Sequence, residues 1–170
     1  MKKWITVMGL VMTLLISGCA SPKTPFEMKD ITVQEMKEKM DKQDSFLFVV
    51  VRENCPYCEQ LEEYIEKSKQ EHPELVIYRL DATDFELYKE NDEATQLFAK
   101  AQEGIEFLDL APFFFYTPTF YAVEDGVIRS SAVGFEPDTL VVNVWERLDQ
   151  VVDFDKAEKE DVWDYIEAHA

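Results

Sequence analysis

The feature that most restricts this chain is Cys55-Pro56-Tyr57-Cys58, set between an unbroken apolar run, Phe46 to Val51, and an amphipathic stretch that begins at Pro56. The run is made of aromatic, leucine and valine side chains, the pattern of a strand covered on both faces. It stops at Arg52-Glu53-Asn54, immediately before the cysteines. Pro56 then suits a first helical turn, where its missing N–H has no intrahelical partner to lose. Beyond it Leu61, Tyr64, Ile65 and Ser68 fall on one helical face, with Glu59, Glu62, Glu63 and Lys67 elsewhere. A doubly covered strand that feeds directly into a helix predicts an α/β core.

The same placement carries chemistry. Two residues between the cysteines, at a helix start, let the sulfurs join without distorting the backbone. Unpaired N–H groups and the macrodipole at the helix N-terminus favour a thiolate. Position at the end of the strand predicts that Cys55 is exposed. Cys55 is then the nucleophile toward a substrate disulfide, and Cys58 resolves the mixed disulfide. In reverse, the oxidised pair donates its disulfide. Zinc requires four ligands, and this chain offers no second cysteine pair and only two separated histidines, His72 and His169. No metal site is expected. A purely structural Cys55–Cys58 disulfide is the plainer alternative.

The third cysteine, Cys19, follows a different kind of segment. Met1-Lys2-Lys3 is a basic opening, and Trp4 to Ile16 is apolar except for Thr6, Gly9 and Thr13. This is short for a membrane span and fits the apolar region of a secretory signal. Leu15-Ile16-Ser17-Gly18-Cys19 resembles the bacterial lipobox. The resemblance implies that residues 1–18 are a signal peptide, that Cys19 is lipidated and becomes the N-terminus, and that residues 19–25 form a tether. Two or more acyl chains hold stably where one holds weakly, so the expected location is the extracytoplasmic face of the cell membrane, where disulfides persist. Lys and Arg total 17 against 35 Asp and Glu, a net charge of −18. That balance argues against nucleic acid as a partner.

Elsewhere, Phe26 and Met28 suggest a weak edge strand. Thr32 with Glu35 forms a capping box for a helix to about Gln43, with Val33, Met36 and Met40 inward. A strand is expected from Leu75 to Leu80, and helical character over 84–111 with Gly104 as a stop. Strands follow from Phe120 to Val123 and from Val127 to Val133, joined at Asp125-Gly126. Pro137 is expected to open a helix carrying Val141, Val144, Trp145, Leu148 and Val152, and Lys156 to Ala170 a last helix carrying Val162, Trp163 and Ile166.

These residues together resemble the thioredoxin superfamily over about residues 26–152. Thr117-Pro118-Thr119-Phe120 matches the family's cis-proline segment, and Asp125-Gly126 and Val133-Gly134 fall where it places a hairpin turn and a late glycine. The resemblance implies a cis Thr117–Pro118 bond lying against the cysteines, with Thr117, Pro118 and Tyr57 contacting substrate. The layout is also similar to the thioredoxin-like bacteriocin transport accessory proteins of Gram-positive bacteria. Some residues depart from the family. Pro-Tyr between the cysteines is a glutaredoxin pairing, Asn54 replaces a tryptophan, and Val49 stands where thioredoxins bury an aspartate. The proton of Cys58 must then pass to water, Glu53 or Glu59. The stretch before Pro118 is also longer than in a plain thioredoxin. Its aromatic run, Phe113 to Tyr116, either packs the insert or lines a hydrophobic substrate groove.

The expected architecture is therefore a thioredoxin-like mixed sheet flanked by helices, with a helical insert before the cis-proline and a helical tail over 153–170. The expected function is a lipid-anchored thiol–disulfide oxidoreductase. It would act on cysteines or disulfides of exported proteins, be recharged by a redox partner, and need no organic cofactor. The alternative is a non-catalytic accessory module of a secretion, bacteriocin or immunity complex.

Overall fold

The computed structural model describes residues 24–111 and 113–170. The signal segment and Cys19 lie outside the described residues. A short edge strand, β1 (Glu27–Asp30), precedes helix α1 (Val33–Asp41). At its start the Thr32 hydroxyl accepts from the Glu35 N–H, and the Glu35 carboxylate accepts from the Thr32 N–H, a closed capping box. Those Thr32 hydrogen bonds, from backbone and then hydroxyl, hold the Glu35 carboxyl below the usual range.

Strand β2 (Phe46–Val51) is buried at every position. Its alternating side chains enter two separate cores. Leu47, Val49 and Val51 join one cluster with the cysteines, and Phe46, Phe48 and Val50 join the other. Helix α2 (Pro56–Ser68) and strand β3 (Val76–Asp81) complete a strand–helix–strand crossover, with β3 parallel to both β1 and β2. Strands β4 (Leu87–Tyr88) and β5 (Phe98–Ala99) form a separate hairpin ahead of helix α3 (Gln102–Leu110). Strand β6 (Thr119–Glu124) then lies antiparallel to β2, followed by β7 (Val127–Glu136), β8 (Val141–Trp145) and β9 (Glu158–Asp161), each antiparallel to its neighbour. The sheet order is β1-β3-β2-β6-β7-β8-β9. Helix α4 (Val162–His169) closes the chain. Helices α2 and α4 bury residues in the cysteine-side cluster, and α1 and α3 in the opposite one. This is the expected mixed sheet flanked by helices.

Three local expectations are corrected. Pro137 opens a turn, with the N–H groups of Thr139 and Leu140 both donating to the Glu136 carbonyl. The next five residues form β8 rather than a helix, because the long strand β7 presents a ladder edge and the valine-rich run fits a pleated surface. Within 84–111 only Gln102–Leu110 is α-helical. Gly104 stands inside that helix, not at its end. A Cβ there would come within 2.6 Å of the Phe85 carbonyl oxygen and 2.8 Å of Ala99, so glycine permits the close approach of helix to hairpin. Lys156 to Ala170 divides into β9 and α4, so its first half adds a strand to the sheet.

Helix α4 is firmly docked. Val162, Tyr165 and Ile166 are fully buried, and Trp163 Nε1 donates to Ser68 Oγ at 2.9 Å. Trp163 also stacks on His72 with centroids 3.9 Å apart and meets Phe26 edge-on. Ile166→Ala is expected to cost about 2–5 kcal/mol in urea unfolding, as for other buried large-to-small changes. A chain ending at residue 152 is expected to lose its cooperative transition.

Candidate active site

The site begins where β2 ends. Asn54 takes a left-handed conformation, φ 55°, which asparagine tolerates better than most residues. The Glu53 N–H donates to Thr83 Oγ1 at 2.8 Å, and that hydroxyl donates to Asp81 Oδ1 at 2.5 Å. The loop ahead of the cysteines is thus tied to the end of β3. Cys55 is the N-cap of α2 and is joined to Cys58 in a disulfide, with Cα atoms 5.2 Å apart.

Two donors point at Cys55 Sγ. The Cys58 N–H lies at 3.2 Å and the Thr117 hydroxyl at 3.4 Å. The Thr117 carbonyl oxygen is 3.5 Å from the same sulfur. Thr117–Pro118 is cis, the conformation the family resemblance implied. N–H, hydroxyl and helix N-terminus would all favour a thiolate on Cys55 once the pair is reduced.

Exposure differs from expectation. Cys55 is only 4% accessible and Cys58 2%, with the Thr117 hydroxyl and carbonyl set against the Cys55 sulfur. Tyr57, in contrast, is 55% exposed. It borders a depression shared with Tyr116, Thr117, Phe135 and Phe154, and the rings of Tyr116 and Phe154 meet at 5.3 Å. The structure therefore brings together Cys55, Cys58, Tyr57, Thr117 and Pro118, while Cys19 lies outside the described residues.

Val49 is buried in the same cluster as both cysteines, so the position below the pair is apolar. Cys58 instead borders a small opening lined by Glu53, Glu59, Glu62 and Arg79. Arg79 donates to Glu62 at 2.6 Å and also pairs with Asp30 and Asp81. Burial disfavours the guanidinium charge, but the Glu62 hydrogen bond and charge outweigh it and raise the Arg79 pKa. Glu53 and Glu59 were readable as neighbours of the cysteines. Glu62, one helical turn beyond Cys58, and Phe154, from the far end of the sheet, were not. No group of three or more potential metal ligands occurs among the described residues.

A sheet of this order, a disulfide-forming Cys-x-x-Cys at the strand-to-helix junction and a cis-proline against it define the architecture. The fold is thioredoxin-like. No family model matches the chain, and no curated protein does. Solved structures of similar shape include Chlamydomonas reinhardtii thioredoxin f2, at 15% identity and a TM-score of 0.44, over 67% of this chain and 90% of that one. Spinach chloroplast thioredoxin f aligns at 14% identity and 0.44, over 67% and 87%. A Malassezia sympodialis thioredoxin aligns at 16% and 0.42, over 69% and 88%.

The loop anchor is testable. Thr83→Val removes the hydroxyl but keeps the side chain's shape, and it should cost about 1 kcal/mol of stability in denaturant unfolding. The Asp81 carboxyl is pushed toward protonation by burial, but the Thr83 hydroxyl and N–H and then Arg79 outweigh this and lower its pKa. The folded state thus prefers the carboxylate. Its stabilisation is present above the ordinary range near about 4 and is lost as pH falls through the lower folded value. Asp81→Asn should destabilise at pH 7, with a penalty that shrinks below about pH 4; unfolding curves across pH measure this.

Proposed function

We propose that this protein is a thiol–disulfide oxidoreductase that exchanges disulfides in exported proteins while held by lipid on Cys19 at the outer face of the cell membrane. The observation that supports it most is the pair of donors, the Cys58 N–H and the Thr117 hydroxyl, aimed at Cys55 Sγ at the N-terminus of α2. A buried disulfide kept only for stability has no need of polar groups that favour its reduced, ionised form.

In the reducing direction, the Cys55 thiolate attacks one sulfur of a substrate disulfide and expels the other as a thiolate. The Cys58 thiol gives up its proton, by way of the opening lined by Glu53, Glu59 and Glu62. Its sulfur then attacks Cys55 Sγ and releases the second substrate thiolate. Two electrons have passed to the substrate and the Cys55–Cys58 disulfide is formed. The reverse sequence oxidises a substrate dithiol. A partner protein must supply or remove those two electrons between cycles. The chemistry uses only the two sulfurs.

Cys58→Ser should accumulate mixed disulfides between Cys55 and exported proteins, visible as adducts that reductant dissolves, and Cys55→Ser should abolish them. Complete absence of adducts from cells carrying Cys58→Ser would refute the enzyme reading in favour of the accessory module. Equilibration with glutathione should give a reduction potential less negative than about −270 mV, the value of thioredoxin, because Val49 leaves no buried carboxylate beside the pair. Cys19→Ser should move the protein from the membrane fraction; retention there would show that the anchor lies elsewhere.

A further inference from the structure

On the α1–α3 face of the sheet, next to the cis-proline segment, lies a cavity of about 270 Å³ walled in part by Leu110, Phe114, Tyr121, Ile128, Trp145 and Val152. None of the described residues that line it is charged, in a chain where 31% of residues are. Three of the polar side chains at its wall have hydrogen-bond partners. The Thr119 hydroxyl donates to the Tyr116 carbonyl at 2.8 Å, the Ser131 hydroxyl to the Trp145 carbonyl at 3.1 Å, and Trp145 Nε1 to the Gln150 carbonyl at 3.4 Å.

Tyr121 is buried and has none. It is only 5% accessible, and its hydroxyl has no hydrogen-bond partner among the described residues. No fully enclosed side-chain oxygen or nitrogen is left unpartnered among them, so this hydroxyl opens onto the cavity. Burial raises its pKa, which keeps it a neutral phenol able to donate or accept. An occupant with one matching polar atom would hydrogen-bond to it in place of water.

Size and position narrow the occupant. An apolar cavity of about 150 Å³ takes a benzene ring, so this one admits a phenol or an indole. Tyr116 walls both this cavity and the depression around Tyr57 and Thr117, whose carbonyl oxygen is 3.5 Å from Cys55 Sγ. The cavity and the depression beside Cys55 thus lie on either side of the Tyr116 side chain. We propose that this cavity binds a tyrosine or tryptophan side chain of the substrate polypeptide, hydrogen-bonded to Tyr121, while a neighbouring cysteine reacts at Cys55. The assignment rests on the oxidoreductase reading and adds a substrate preference to it.

The test has two arms on the full-length protein. In the first, p-cresol and toluene are titrated into the oxidised protein and followed by NMR. Both should shift resonances of the cavity residues, with p-cresol the tighter by about tenfold. Tyr121→Phe should remove that difference and Val152→Trp should displace both probes. In the second, disulfide peptides carry tyrosine or alanine at each position flanking the cysteine. At one position kcat/KM should favour tyrosine by about tenfold, and the ratio should fall toward one in Val152→Trp and partway in Tyr121→Phe. Should neither probe bind, or should exchange proceed with no preference at any position, the proposal is wrong. Probe binding with exchange but no preference would mark a site for a free small molecule. Probe binding with no exchange of any peptide would refute the oxidoreductase reading and the substrate assignment with it.

Discussion

Strand β2 meets apolar side chains on both of its faces, and much of the molecule follows from that. All six of its residues, Phe46 to Val51, are buried, and removing each such side chain from water contributes about 1.5–3 kcal/mol. Neither face can be left to solvent, so the chain must return over both. Helices α2 and α4 cover the Leu47, Val49 and Val51 side, and α1 and α3 cover the Phe46, Phe48 and Val50 side. Parallel pairing with β3 on one edge and antiparallel pairing with β6 on the other leave no free ladder beside it. A strand so enclosed is a rigid mount for whatever stands at its end.

What stands there is Cys55. The turn through Asn54 and the anchor from Glu53 to Thr83 and Asp81 set the start of α2 against the end of the strand. Strand β6 pairs with β2 residue for residue from Phe46↔Val123 to Val50↔Thr119. That register carries Thr117 and Pro118 to the same end of the sheet as the cysteines. The contact of Thr117 with Cys55 is therefore a consequence of strand pairing, not of any local property of residues 117 and 118. The cysteine pair shares one cluster with Val49, Phe120 and Phe135, so the candidate site is built directly into the core.

The same logic explains which parts of the fold were legible. The six-residue apolar run, the capping box at Thr32 and Glu35, and the Asp125-Gly126 turn each carry their signal within a few residues, and each is present in the structure. Residues 141–145 mislead because valines at positions 141, 142 and 144 suit either a helical stripe or a pleat. The choice was made by the open edge of β7 and by β9 arriving from the far end of the chain. The 84–111 segment misleads in a similar way, since the contacts that bend it are between Gly104, Phe85 and Ala99. In the aromatic run, Phe114 is buried against Phe107, whereas Phe113 and Tyr116 are exposed. The packing reading of that run thus holds for Phe114.

By itself, the sequence determined a cysteine pair at a strand-to-helix junction, in a mixed sheet flanked by helices. Those are properties of spacing and of side-chain type along a short stretch of chain. Only the tertiary structure decided that Cys55 is almost covered, that Glu62 and Arg79 border Cys58, and that Phe154 stands beside Tyr116. The same holds for the Tyr121 hydroxyl, left without a partner beside a cavity. The cover over Cys55 and the placement of Arg79 and Tyr121 depend on the register of strands far apart in the chain, where a shift of one residue would turn every side chain to the opposite face.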